Sequence, residues 1–151
     1  MAILSFGDKS SISRVRVLVV EDNEPFREFT LSILGKNAGL EVICEASDGL
    51  EAVHKVEELR PELILLDIGL PGLNGLEVAR QICKLSPKPT IVFLSQESSA
   101  DMVRAALRLG AMGYVAKARA GSDLLPAVEA VVQGKQYVSA GLMDHVPSDI
   151  V

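Results

Sequence analysis

Five residues of this chain carry chemistry that its hydrophobic pattern does not require: Glu21, Asp22, Asp67, Ser95 and Lys117. The acidic pair follows the run VRVLVV, Asp67 follows LILL, Ser95 follows IVFL and Lys117 follows YVA. Carboxylates gathered at one edge repel one another: a pair about 4 Å apart costs about 4 kcal/mol at an effective dielectric of about 20. Three of them need a cation, or they must hold protons. The oxygens are hard donors with no His or Cys beside them, which suits Mg2+ rather than zinc. A lysine opposite such a metal could hold an anion, and a serine could donate to it. The set describes a pocket for a phosphoryl group on a carboxylate.

The elements that must position these residues are legible as an alternation. Short apolar runs at 15–20, 42–46, 63–66, 91–94 and 114–116 are separated by stretches with helical spacing. Phe26, Phe29, Ile33 and Leu34 form one such face, with Pro25 suited to a first helical position. Leu50, Val53, Val56 and Leu59 form the second, and Leu76, Ala79, Ile82 and Cys83 the third. Asp48 with Glu51, and Asn74 with Glu77, have the offset of capping boxes and open these two helices. Val103, Ala106, Leu107 and Gly110 mark the fourth; Leu124, Val128, Val131 and Val132 mark the fifth, stopped by Gly134. The expected fold is α/β: a doubly wound, five-stranded parallel sheet in the order 2-1-3-4-5, flavodoxin-like, with helices on both faces. Ligands of such sheets bind outside the carboxyl ends of the strands, at the switch point between strands 1 and 3. All five chemical residues fall at that edge.

A chain of 151 residues fits one domain, here expected over 15–135, with a flexible leader at 1–14 and a C-terminal tail or linker at 136–151. Hydrophobic residues make up 48% and charged residues 23%, which excludes a disordered chain. Four Phe, two Tyr and no Trp leave the core mostly aliphatic. A net charge of −5 offers no basic stripe for nucleic acid or anionic membrane. No run reaches the roughly 18–20 apolar residues of a membrane span, and the first residues lack a signal peptide's basic start, so a cytoplasmic protein is expected. Cys44 and Cys83 lack metal spacing and are expected as buried, reduced core thiols; His54 and His145 are expected at the surface.

The segments VLVVEDNEPFRE, LILLDIGLPGLNGLEVA, IVFLSQES and GAMGYVAKA resemble the receiver domain of two-component response regulators over residues 14–135. ALRLGAMGYVAKA and VVQGKQYVSAGL are similar to its NarL/LuxR-type branch. The resemblance implies a CheY-like receiver that takes a phosphoryl group on Asp67 from a phosphohistidine of a sensor histidine kinase. It implies Mg2+ held by Glu21, Asp22, Asp67 and the carbonyl of Gly69, with Lys117 pairing the phosphoryl oxygens. Ser95 would move toward the phosphoryl group, and Tyr114 would follow by changing rotamer. The implied output is partner binding or a homodimer, through helix 4, strand 5 and helix 5 or through helices 1 and 5. Members of this branch continue into a DNA-binding domain; the alternative is a stand-alone phosphotransfer or interaction module. The resemblance implies a switch that promotes only its own phosphorylation and dephosphorylation, not a turnover enzyme.

Two residues depart from the common receiver pattern. Gln96 stands where a small residue is usual and is expected to restrict access to the pocket, and Ala118 follows Lys117 where many receivers have Pro. A haloacid-dehalogenase-type phosphatase would need a second Asp at the position of Gly69, and a P-loop would need GxxxxGK[ST] after strand 1. Neither is present. A degenerate scaffold would have lost Asp67 or Lys117, and both are there.

Overall fold

The computed structural model describes residues 13–96 and 99–142. Strands β1 (Val15–Val20), β2 (Leu40–Ala46), β3 (Leu63–Asp67), β4 (Thr90–Ser95) and β5 (Gly113–Ala116) alternate with helices α1 (Glu24–Leu34), α2 (Gly49–Leu59), α3 (Gly75–Ile82), α4 (Ala100–Arg108) and α5 (Ala120–Val132). One 3-10 turn, Lys117–Arg119, joins β5 to α5. The strands pair in parallel in the order β2-β1-β3-β4-β5, as expected for a doubly wound sheet.

A sixth strand, β6 (Tyr137–Val138), lies beside β5 and corrects the expected count of five. Two residues are too short to display an alternating pattern. The strand is set instead by backbone bonds, Tyr137 N–H to the Met112 carbonyl at 2.9 Å and Ser139 N–H to the Tyr114 carbonyl at 3.0 Å. It falls within the segment expected as a tail. Of the expected leader, 1–12 lie outside the described residues, as do 143–151 of the tail, including His145.

Alternation along the strands divides the core into two layers. Leu18, Val20, Ile64, Leu66, Ile91 and Phe93 face Val53, Val56, Val78, Ile82, Val103 and Leu107 of α2, α3 and α4. The intervening Val17, Val19, Leu63, Leu65, Val92, Leu94 and Val115 face Ile33, Leu34, Leu124, Val128 and Val131 of α1 and α5. Every residue of β3 is buried, as a strand covered on both faces must be.

Side-chain caps start α1 to α4. Asn23, Asp48, Asn74 and Ser99 accept from the backbone N–H three residues on, each satisfying a donor that the first turn leaves unpaired. Glu51 reaches back one residue past the Asp48 cap, accepting from Ser47 N–H at 2.8 Å, whereas Glu77 turns to Arg80, so neither expected box closes on the cap's own amide. Leu50 corrects the sequence reading: it is 62% exposed because the buried stripe of α2 runs through Gly49, Ala52, Val53 and Val56. A side chain at Gly49 would strike the Leu73 carbonyl, so the helix seats closely there and Leu50 is turned outward. Phe29 and Val132, also expected on buried faces, are 44% and 47% exposed at the flanks of α1 and α5. Cys44 and Cys83 are free and half-buried rather than fully buried, since both sit at the margin of the core. His54 is exposed.

Candidate functional site

β1 ends at Val20, so the acidic pair falls in the loop to α1, but its two members differ in burial. Glu21 N–H donates to the Ala46 carbonyl at 2.9 Å, which holds Glu21 against β2 at 1% exposure, while Asp22 is exposed. Arg27, one turn into α1, donates from Nη1 to the Glu21 carbonyl at 2.8 Å and from Nε to Glu45 Oε1 at 3.1 Å. That guanidinium ties the acidic loop to α1 and β2 together. Asn23 N–H donates to Glu21 Oε2 at 3.1 Å.

Asp67 closes β3 and is 3% exposed. Its Oδ1 accepts from Gly69 N–H at 3.0 Å, and Ile68 N–H donates to the Leu94 carbonyl at 3.0 Å. The turn comes back so tightly that a Cβ on Gly75 would lie 2.4 Å from the Asp67 carbonyl oxygen. Only glycine fits there, and α3 starts at this point. Ser95 closes β4 and Lys117 follows β5 directly.

These ends meet in a cleft of about 530 Å³ lined by Glu21, Asp22, Asp67, Gly69, Ser95, Gln96, Met102 and Lys117, among others. The Lys117 ammonium lies 2.8 Å from Glu21 Oε1, donates to Glu21 Oε2 at 3.0 Å and reaches Asp67 Oδ2 at 3.4 Å. It also sits 4.8 Å from the centroid of the Phe26 ring, a favourable place for a cation. Burial raises Asp67 above the usual carboxylate range; Lys117 and the Gly69 amide oppose that rise, and neighbouring Asp22 adds to it. Burial likewise raises Glu21, opposed by Lys117 and the Asn23 amide, and Asp67 adds to the rise. One ammonium therefore serves two buried carboxylates with a third beside them.

The donor set fits a hard divalent cation. Oxygens of Glu21, Asp22 and Asp67 all lie within 4.8 Å of one another. Buried Glu21 Oε1 touches the ammonium but accepts no hydrogen bond, so it has coordinating capacity to spare.

The structure thus brings Glu21, Asp22, Asp67, Gly69, Ser95 and Lys117 to one cleft and leaves Tyr114 one layer inside it. Tyr114 is fully buried, its ring centroid 6.5 Å from that of Phe93. Gln96 is exposed at the mouth, where it also borders a second cleft shared with Asn23, Phe26, Lys117 and Ala118. Sequence reasoning missed three participants. Phe26 counted only as part of a helix face, and neither Arg27 nor Met102, whose Sδ is 3.9 Å from Ser95 Oγ, was singled out. The available signal was that Phe26 and Arg27 fall within a turn and a half of the acidic pair.

A family model described as the response regulator receiver domain matches residues 17–129. The transcriptional regulatory protein LiaR of Bacillus subtilis (strain 168) is 34% identical over 134 residues, 89% of this chain and 64% of LiaR. The transcriptional regulatory protein DegU of Brevibacillus brevis is 32% identical over 126 residues, 83% of this chain and 53% of DegU. This chain therefore spans roughly half to two-thirds of the length of these relatives. Among solved structures, a LuxR-family two-component response regulator from Aurantimonas sp. SI85-9A1 is similar with a TM-score of 0.83 and 28% identity, covering 89% of this chain and 96% of that one. The signal receiver domain of NarL from Mycobacterium tuberculosis is similar with a TM-score of 0.76 and 28% identity, covering 82% and 99%.

Proposed function

Because this chain belongs to the response regulator receiver domain family of two-component systems, we propose that Asp67 is its phosphoacceptor, supplied by a phosphohistidine on a sensor histidine kinase. The observation that supports this most strongly is the Lys117 ammonium held between buried Glu21 and buried Asp67 in an open cleft. An Asp67 carboxylate oxygen attacks phosphorus as the P–N bond to the imidazole breaks, and the released nitrogen takes up a proton. Glu21, Asp22, Asp67 and the Gly69 carbonyl would hold Mg2+. When bound, the ion offsets the charge that collects between the carboxylate and the phosphoryl oxygens. Lys117, now nearer Glu21 than Asp67, is drawn toward the oxygens that the phosphoryl group adds. Ser95 donates its hydroxyl to the same oxygens, and Tyr114 follows the space that Ser95 vacates. Phosphorylation thereby selects one of two arrangements of the β4–α4 and β5–α5 segments.

In this reading the chain is a switch and not a turnover enzyme. A methylesterase relative from Koribacter versatilis (strain Ellin345), 40% identical, is matched over 31% of its own length only, so its named activity does not carry over to this chain. The output is homodimerisation or a change of partner. The α1–α5 side is favoured over the α4–β5–α5 side by the exposed Phe29 and Val132. The relatives named as transcriptional regulators make the receiver of such a regulator the preferred setting; a stand-alone receiver is the alternative. No helix among the described residues is long and apolar enough to cross a membrane, and the net charge of −5 offers no basic stripe for nucleic acid, which fits a cytoplasmic switch.

Intact mass after incubation with acetyl phosphate tests the reading. Wild type with Mg2+ is expected to gain one phosphoryl group, and the gain is expected to vanish without Mg2+ or in Asp67→Asn. A gain that survives Asp67→Asn, or no gain from either acetyl phosphate or a kinase, would overturn it.

A further inference from the structure

Phosphotransfer as derived above gives no part to Asp123, yet this carboxylate is buried at 4% exposure in the first turn of α5. Its Oδ2 accepts from Arg119 Nε at 2.9 Å, and its Oδ1 accepts from Ser122 Oγ at 3.0 Å. The Ser139 hydroxyl and the Tyr137 phenol, on either side of Val138, also interact electrostatically with it. Burial acts to raise the Asp123 carboxyl, but the interactions with Arg119, Ser139 and Ser122 outweigh it and leave the group below its usual range.

Ser139 is itself completely buried, and its hydroxyl has a second task. The β5–β6 ladder ends at Tyr114↔Val138, so the Ala116 N–H lies beyond the last backbone partner that β6 offers. Ser139 Oγ accepts that N–H at 3.1 Å. The residue before Lys117 is therefore held by Ser139, and the residue two beyond it by Asp123. Both holds converge on one pair of buried side chains, of which one belongs to α5 and the other to the end of β6.

We propose that Asp123 and Ser139 are positioning residues for Lys117: Ser139 holds the backbone amide before it, Asp123 holds the Arg119 side chain after it, and together they couple its engagement of Asp67 to the seating of β6. The proposal rests on the reading of Asp67 as phosphoacceptor. By linkage the coupling is reciprocal. Seating β6 favours the lysine position that receives the phosphoryl oxygens, and phosphorylation slows the opening of β6. Any segment attached after β6 is thereby placed one buried hydrogen-bond pair away from the phosphorylation site.

The test compares the 151-residue wild type with Ser139→Ala, Asp123→Asn and the double variant. Three quantities are read: amide hydrogen exchange at residues 116 and 137–139, the rate of phosphoryl gain from acetyl phosphate with Mg2+, and the NMR signals of the Lys117 side-chain methylenes. Ser139→Ala removes one oxygen and leaves no gap that threatens folding. It is expected to speed exchange at these amides about tenfold, the scale of one net hydrogen bond. It is also expected to slow phosphorylation several-fold and to shift the Lys117 signals. Asp123→Asn should act in the same direction, and the double variant should add little, as partners in one network do. In phosphorylated wild type, exchange at β6 is expected to slow. Faster exchange with an unchanged phosphorylation rate and unmoved Lys117 signals would reduce the pair to a structural tie and overturn the proposal, and so would unchanged exchange. If wild type itself gains no phosphoryl group, the reading of Asp67 fails separately. The Lys117 signals in the unphosphorylated variants then decide the clamp: a shift supports it and no shift overturns it.

Discussion

Within the cleft, each side chain has a different amount of freedom, and that difference orders the chemistry. Glu21 and Asp67 are buried and share one ammonium, so neither can relax into water when charge is added beside it. Asp22 is exposed and can turn toward an arriving cation at little cost. Gln96 stands at the mouth of this cleft. It is exposed and borders both the main cleft and the cleft over Phe26 and Ala118. A flexible amide there is expected to hinder an attacking water without offering a base to activate it. Replacing it by alanine is therefore expected to shorten the lifetime of the phosphoryl group on Asp67 several-fold. Loss of phosphoprotein mass with time in wild type and Gln96→Ala measures this, and equal decay rates would show that Gln96 does not gate the pocket.

At the scale of elements, what was legible in the sequence was whatever a short local pattern can encode. Five apolar runs gave five strands because strands buried on both faces have no other composition available to them. The caps at Asp48 and Asn74 were readable because the cap and the amide it satisfies are three residues apart. The edge that gathers the candidate site residues followed from topology, since a doubly wound sheet brings the ends of β1, β3, β4 and β5 together whatever lies between. What was not legible depends on distant partners. Leu50 has the spacing of a buried residue, but the contact of Gly49 with Leu73 decides which way α2 turns. Nothing near Tyr137 shows that Met112 and Tyr114 have carbonyls waiting for it. Asp123 was not singled out in the sequence, because Arg119, Tyr137 and Ser139 gather around it only in the fold. That tie has a signature in stability. Because the folded carboxyl lies below its usual value of 3.8, its contribution is fully present above that pH and is lost as pH falls through the depressed folded value. The melting temperature of wild type is expected to exceed that of Asp123→Asn at pH 6, with the gap closing below about pH 3.8. A gap independent of pH would mean that shape, and not charge, accounts for the effect of the variant.

For the whole molecule, the question is which face carries the state of the cleft outward. The two candidate faces differ in kind. On α4 the exposed residues, Asp101 and Arg108, are charged, and Asp101 is already paired with Arg104 at 2.6 Å. A surface of that sort is well solvated and gains little by being covered. On the other side α1 and α5 touch, the Phe29 ring reaching to within 3.7 Å of where a Cβ would stand on Gly121. Phe29 and Val132 both remain about half exposed there. Exposed apolar side chains, an aromatic among them, are what the centre of an association surface is made of. α5 is also the helix whose first turn holds Asp123 and follows Lys117, so a change at the cleft reaches this face through one element. Mg2+ with acetyl phosphate is therefore expected to shift the protein from monomer toward dimer in sedimentation equilibrium. Phe29→Ser and Val132→Ser should each weaken that dimer at least several-fold while the phosphoryl mass gain stays intact, because neither side chain lines the cleft. Dimerisation undiminished by either change would place the interface on the α4–β5–α5 side despite its charged surface.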